Sequence, residues 1–316
     1  MDASIPIMAN AIMLVFSIFC IYTLSLTGDR RYYTSSVDLH GKTVIVTGGD
    51  TGIGRETTLD LAQRGARVIL ACRNLQKAED VAKDITSSTG NSEVVVRHLD
   101  LSSLQSVREF AQEINEQEKR LDILINNEAL VPPTEGSATV DNFDLAFGTN
   151  HFGHFLLTNL LLDLLKKSAP SRVVIVSSYI HRVAHGINMT RGDPDGGKDT
   201  ILYPYLKGYS KSKLANILFS SELARRLEST GVVAVSLHPG VVYSPGLLYL
   251  PQRLIFLDDK AAAQTTLHCA LDESVVNLSG SYFDNSEVVE PSLRAQDPEL
   301  AKALWDASCE ATKLNC

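Results

Sequence analysis

The chain has 316 residues, 44% of them hydrophobic and 21% charged, which is ample for one large domain and excludes a disordered polymer. A formal net charge of -8 argues against a nucleic-acid partner, which would need a basic face for phosphates. The five cysteines, Cys20, Cys72, Cys269, Cys309 and Cys316, are scattered and form no CxxC pair, so reduced thiols are expected and no zinc spacing is present.

The N-terminus differs in kind from the rest. From Ile5 to Leu26 no residue is charged. As a helix at about 1.5 Å per residue this run spans roughly 33 Å, enough for a bilayer core of about 30 Å. Arg30 and Arg31 follow it, so the body of the protein is expected on the cytosolic side of a membrane, the endoplasmic reticulum being the expected one. A cleaved signal peptide is the rival reading, disfavoured by the lack of a basic stretch before the apolar run. The sequons at Asn188 and Asn277 would be used only by a lumenal domain. The expected division is an anchor over 1–28, a linker over 29–40 and one catalytic domain over 41–316.

Strands and helices then alternate. Strands are expected at Thr43–Thr47, Arg67–Cys72, Val94–His98, Leu121–Asn126, Arg172–Ser177 and Val232–His238, with a short last one at Ser281–Phe283. Helices are expected at Gly52–Arg64, Asn74–Thr89, Leu104–Glu118, Phe152–Lys167, Tyr209–Thr230 and Lys260–Leu271. Near-continuous apolar strands separated by helices predict an α/β fold of Rossmann type, a doubly wound parallel sheet covered on both faces. The Gly- and Asp-rich stretch from Arg191 to Asp199 reads as a loop.

The first strand runs into Thr47-Gly48-Gly49-Asp50-Thr51-Gly52-Ile53-Gly54. Glycines let the backbone turn tightly and approach a pyrophosphate, and the following helix offers it unpaired N–H groups. At the end of the second strand, Ala71-Cys72-Arg73 lacks the acid that would hold a ribose 2′-hydroxyl. Arg73 suits a 2′-phosphate instead, with Arg55 as a second cation, so NADP(H) is the expected cofactor. Further on, Tyr209 and Lys213 lie four apart on one helix face. A phenol ionises near pH 10, and an ammonium beside it lowers that value, which suits a tyrosine to proton exchange with a carbonyl oxygen.

The TGxxxGIG spacing and the later YxxxK resemble the short-chain dehydrogenase/reductase family from about Gly41 to Phe283. The resemblance implies a tetrad of Asn150, Ser178, Tyr209 and Lys213. It also implies cofactor contacts from Thr47, Gly48, Thr51, Gly52, Ile53, Gly54, Asp100, Leu101, Asn127, Pro239, Gly240 and Ser244, beside Arg73, Tyr209 and Lys213. Ser177 is the alternative to Ser178. No metal is implied: His181 and His185 are four apart but lack the glutamate of a zinc protease. His151 and His154 are expected to line or pack the site.

One stretch departs from the family pattern. Asn126-Asn127-Glu128-Ala129 stands where the family reads Asn-Asn-Ala-Gly. Either Glu128 points away from the cofactor and the enzyme works, or cofactor binding is impaired and the chain is a tethered binding or scaffold protein. Asn150 to Thr158, Arg64 to Arg73 and Ser212 to Asn216 are most similar to the membrane-anchored retinol dehydrogenase-like branch. That implies a hydrophobic alcohol/carbonyl pair (retinoid, steroid or lipid aldehyde) as substrate, used in the reductive direction, with lipid contact through the anchor and with homodimers allowed. Tyr203, Tyr205, Leu206 and the segment from Leu247 to Leu257 are expected to cover the substrate.

Overall fold

The computed structural model describes residues 31–132, 134, 136–184, 206–241 and 257–316. The apolar run from Ile5 to Leu26 lies outside them, and among the described residues no helix is long and apolar enough to cross a membrane.

The run TVIVT forms β1 (Thr43–Thr47), buried at every residue. It is followed by α1 (Gly52–Gln63), β2 (Arg67–Cys72), α2 (Leu75–Thr89), β3 (Val94–His98), α3 (Leu104–Gln117) and β4 (Ile123–Asn126). A near-continuous helical stack comes next: α4 (Leu145–Phe147), a π-helical turn (Gly148–Gly153), α5 (His154–Leu160) and α6 (Leu162–Lys167). Then come β5 (Ser171–Val176), α7 (Leu206–Arg226), β6 (Val232–His238), α8 (Asp259–Leu271), β7 (Tyr282–Asp284), β8 (Glu287–Val288) and α9 (Pro298–Thr312).

Among the described residues the strands form one eight-stranded sheet in the order β3-β2-β1-β4-β5-β6-β7-β8. Every pairing is parallel except β7 with β8. Because side chains alternate along a strand, the central strands feed two cores. Val44 and Val46 pack on one face with Leu61, Val174, Val235 and Leu267. Ile45 packs on the other with Phe110, Phe155, Phe219 and Trp305. The order reverses between β1 and β4, and in such sheets the crevice beyond the carboxyl ends of the strands at that point receives ligands. The glycine turn, Asn127-Glu128, Ser178 and Pro239-Gly240 all leave strands at this edge.

Several boundaries differ from expectation for local reasons. β4 starts at Ile123, because the Leu121 N–H donates to Ser168 Oγ at 2.9 Å. The Asp122 carboxylate turns back to the Thr43 N–H at 2.9 Å and to Lys42 and Arg120. α7 stops at Arg226, ahead of a turn in which Ser229 and Gly231 take positive φ. The expectation of reduced thiols fails at the C-terminus, where Cys309 and Cys316 form a disulfide. Lys313, in the left-handed conformation, reverses the chain after α9 and brings the last residue back to the helix. Cys72 and Cys269 are free and buried; Cys20 lies outside the described residues.

Candidate active site

The glycine turn opens the site. Gly48 and Gly52 have φ of +63° and +53°, a region glycine enters without strain. Gly54 is required for a different reason: a Cβ there would come within 2.1 Å of the Gly48 carbonyl oxygen and 2.7 Å of Asn127 Nδ2. Thr51, at the N-cap of α1, makes no side-chain capping bond, whereas Asn74 and Ser103 cap α2 and α3 through their side chains. The start of α1 is thus left without a side-chain cap, which suits an anion seat. Turn, uncapped helix and open crevice fit a dinucleotide pyrophosphate.

Thr47 ties this turn to the neighbouring strand. Its Oγ1 accepts the N–H groups of Asn127 at 2.9 Å and Glu128 at 3.0 Å. It also bonds His154 Nε2 at 2.9 Å, while His154 Nδ1 bonds the Asn150 carbonyl at 3.0 Å. Asn127 Nδ2 in turn donates to the Thr47 carbonyl at 2.9 Å. His154 is fully enclosed, and burial pulls its pKa down to about 4.

Asn150 sits in the π-helical turn, a distortion that often marks functional positions. Its side chain closes on Leu130, accepting the N–H at 2.9 Å and donating to the carbonyl at 3.0 Å, and donates to Ser212 Oγ at 3.1 Å. Ser212 lies on α7 beside Lys213, so Asn150 braces the helix that carries the Tyr–Lys pair.

At the end of β5 the two serines separate. Ser177 Oγ donates to the Lys213 carbonyl at 2.7 Å, a helix-anchoring contact. Ser178 hydrogen-bonds the Tyr209 hydroxyl. Lys213 is fully buried, its Nζ donating to the Val176 carbonyl at 3.0 Å and lying 5.4 Å from the centre of the Tyr209 ring. Burial pushes the Tyr209 phenol up to about 12, with the Ser178 bond working against it. Burial also draws Lys213 down to about 7, opposed by the negative charge of Glu128. A phenol that resists ionisation thus stands beside an ammonium able to stabilise its anion.

His181 holds Ser178 from behind. Its Nε2 accepts the Ser292 N–H at 3.0 Å, which leaves the proton on Nδ1, and Nδ1 donates to the Ser178 carbonyl at 2.7 Å. By sequence His181 stands out only for its spacing from His185, and its place three residues after Ser178 is the one signal of this contact. His151 packs among Phe147, Phe152 and Phe219, with Nε2 on Ser308 Oγ at 3.0 Å.

The expected cofactor residues fall as follows. Arg73 is exposed at the end of β2. Arg55 differs from expectation, because its guanidinium is matched by Glu56 at 2.8 Å and by Asp84. Asp100 follows β3 and binds the Ser102 N–H and hydroxyl at 2.9 and 2.6 Å. Leu101 is buried, and its carbonyl lies 2.5 Å from where a Cβ on Gly153 would sit. Pro239 and Gly240 are buried after β6; Ser244 lies outside the described residues, as do Tyr203, Tyr205 and most of the expected substrate cover.

Glu128 does not point away. A Cβ on Gly48 would come within 1.9 Å of its Oε2, so the carboxylate rests on the bare face of that glycine. Burial and the Asp50 carboxylate raise its pKa, while Arg73, Lys213 and Lys77 oppose them.

A nucleotide-binding edge on a doubly wound sheet, with a Ser–Tyr–Lys cluster beside it, defines an oxidoreductase acting on an alcohol/carbonyl pair. The chain belongs to the short-chain dehydrogenase/reductase family, on its retinol dehydrogenase-like branch. A family model described as short chain dehydrogenase matches residues 42–189. Retinol dehydrogenase 12 of Mus musculus is 46% identical over 313 residues, covering 95% of this chain and 96% of that protein. A crystal structure of an uncharacterized protein from Mycobacterium Paratuberculosis superposes with a TM-score of 0.69 at 36% identity, covering 90% of this chain and 98% of that one. A short chain dehydrogenase of Escherichia coli CFT073, complexed with NADPH, gives 0.64 at 25% identity, covering 80% of this chain and 100% of that one.

Proposed function

We propose that the chain is an NADP(H)-dependent oxidoreductase that interconverts a hydrophobic alcohol and its carbonyl, retinoid-like by preference, and works in the reductive direction. The observation that carries this is the Ser178–Tyr209 hydrogen bond with Lys213 beneath the tyrosine ring, at the sheet edge that carries the glycine turn. The nicotinamide, when bound, supplies or takes up a hydride. Tyr209 gives or takes the proton at the substrate oxygen, and Ser178 bonds that oxygen and stabilises charge growing there. Lys213 stabilises the phenolate. Asn150 is a positioning residue that braces α7 through Ser212.

Thr47, Gly48, Thr51, Gly52, Ile53 and Gly54 would hold the pyrophosphate, with Asp100, Leu101 and Asn127 along the adenosine side and Pro239, Gly240 and Ser244 toward the nicotinamide. Exposed Arg73, with no acid at the end of β2, supports a 2′-phosphate. The NADPH bound to the Escherichia coli relative supports the same preference. An anchor over 1–28, a linker over 29–40 and a cytosol-facing domain over 41–316 at the endoplasmic reticulum would bring the site to bilayer-dissolved substrates.

The second reading, a tethered binding protein impaired in catalysis, is favoured by one observation: the Glu128 carboxylate lying on Gly48. A membrane-fraction assay with retinal, steroid and polyprenal carbonyls and both reduced coenzymes separates the two. NADPH-dependent reduction by the wild type, lost in Tyr209→Phe, is the expected result. Absence of turnover with every carbonyl and both coenzymes would leave the binding protein.

A further inference from the structure

Glu128 is the side chain at this edge that the chemistry above does not use. Its main chain is fixed: its N–H and that of Asn127 share Thr47 Oγ1, and Asn127 Nδ2 returns to the Thr47 carbonyl. The side chain is thereby delivered across the start of the glycine turn. There it takes the space that glycine opens, with Oε2 at 1.9 Å from where a Gly48 Cβ would stand. In a dinucleotide crevice that bare glycine face is where phosphate oxygens approach the backbone.

Charged groups converge on the carboxylate from four elements. Asp50 comes from the turn itself, Arg73 from the end of β2, Lys77 from α2 and Lys213 from α7. Lys77 is already paired with Asp50 at 3.1 Å. His154, beneath Thr47, is held neutral by its burial, and the Cys72 thiol, beside Asp50, is held in its neutral form. The anion on Gly48 is thus answered chiefly by Arg73 and Lys213, the cations assigned above to the coenzyme and to Tyr209.

We propose that Glu128 is an affinity-determining residue that fills the coenzyme seat, so that dinucleotide binding is an exchange of one anion for another. The inference rests on reading the glycine turn as a dinucleotide seat. Two consequences follow. Coenzyme must displace a carboxylate that burial and Asp50 make easier to protonate than an ordinary glutamate, so the competition weakens as pH falls. In the unliganded chain the same carboxylate supplies negative charge that favours the protonated form of the buried Lys213, against the burial that lowers its pKa.

The test is an NADPH titration of the full chain in detergent, followed by energy transfer from intrinsic tryptophan and tyrosine emission between pH 5.5 and 8. Wild type, Glu128→Gln and Glu128→Ala are compared, with thermal midpoints recorded for each. At pH 8 Glu128→Gln, which keeps the bulk and loses the charge, binds at least tenfold more tightly than wild type. The gap narrows toward pH 5.5, with titration of the coenzyme phosphate common to all three proteins. Equal affinity of wild type and Glu128→Gln at pH 8 overturns the exchange, as does a gain seen only in Glu128→Ala, which would make bulk the obstacle. If none of the three proteins binds NADPH or NADH, the dinucleotide seat itself is wrong and the inference falls with it.

Discussion

Replacing Lys213 by methionine keeps a long apolar stem in a fully buried slot and removes one charge. The hydrogen bond to the Val176 carbonyl is lost, but that oxygen retains the Asn216 Nδ2 donor at 3.3 Å, so the fold is expected to persist. The charge acts on a phenol that burial has pushed up to about 12. Across the 5.4 Å between Nζ and the ring centre, an effective dielectric constant of about 20 gives an attraction of about 3 kcal/mol for the phenolate. That is about two pKa units, or roughly a hundredfold in the ionised fraction at fixed pH. Because Lys213 is itself drawn down to about 7, the comparison is best made at or below pH 6.5, where the wild type carries most of this charge. The assay is kcat/KM for oxidation of retinol with NADP+ as a function of pH. Lys213→Met loses up to about a hundredfold near pH 6.5, and the gap closes as pH rises past 7 and the wild-type ammonium itself is lost, whereas Lys213→Arg retains part of the activity. A methionine variant within threefold of wild type from pH 6 to 9 would refute the role given to the ammonium.

Three further outcomes follow from the geometry. Gly54→Ala forces a methyl group to within 2.1 Å of the Gly48 carbonyl, so the turn must shift; thermal melting should show a loss of about 1–3 kcal/mol, and NADPH titration a loss of binding. Arg73→Glu should reverse coenzyme choice by at least tenfold in the NADPH-to-NADH ratio of kcat/KM, roughly the value of one charge-assisted contact. The third concerns acid. Burial holds His151, His154 and His181 down to about 3, 4 and 4. The unfolded chain therefore takes up protons that the folded chain refuses, and the stability these neutral rings contribute is present above about pH 6.5 and lost as pH falls toward 4. Melting temperature measured across that window should fall, and His181→Gln should flatten part of the slope; an unchanged slope would mean that His181 is not neutral in the fold.

The alternation of β-branched runs with helices was enough to place β1 to β7, because strands buried on both faces have little choice of residue. The glycine turn, Asn127-Glu128, Ser178 and Pro239-Gly240 were legible as the segments that leave the carboxyl ends of strands, whereas Asn150, Tyr209 and Lys213 sit on helical elements. Other features escaped for physical reasons. The helical stack beginning at Leu145 depends on a π-helical turn, which leaves no mark in a period of 3.6 residues. α9 has a readable start, an Asp297 cap followed by Pro298, but lies beyond the last expected strand. The bridge between Cys309 and Cys316 depends on a left-handed residue at Lys313, a conformation that lysine does not announce. The direction of Glu128 could not be read either. It is set by a hydroxyl 81 positions earlier, on Thr47.

That hydroxyl also fixes where hydrogens go. The Asn150 carbonyl can only accept, so the neutral His154 ring carries its hydrogen on Nδ1 and its Nε2 accepts from the Thr47 hydroxyl at 2.9 Å, nearer than that hydroxyl's other acceptor, the Ile125 carbonyl at 3.4 Å. The line ends on a main-chain oxygen that has no proton to pass on. Thr47, His154 and Asn150 therefore form a strut rather than a wire. They set the spacing between the glycine turn and the π-helical turn. Thr47→Val would take the hydroxyl acceptor from the Glu128 N–H, while the Asn127 N–H would keep the Ile125 carbonyl at 3.0 Å, and would slacken both turns at once, whereas Thr47→Ser would keep the strut intact.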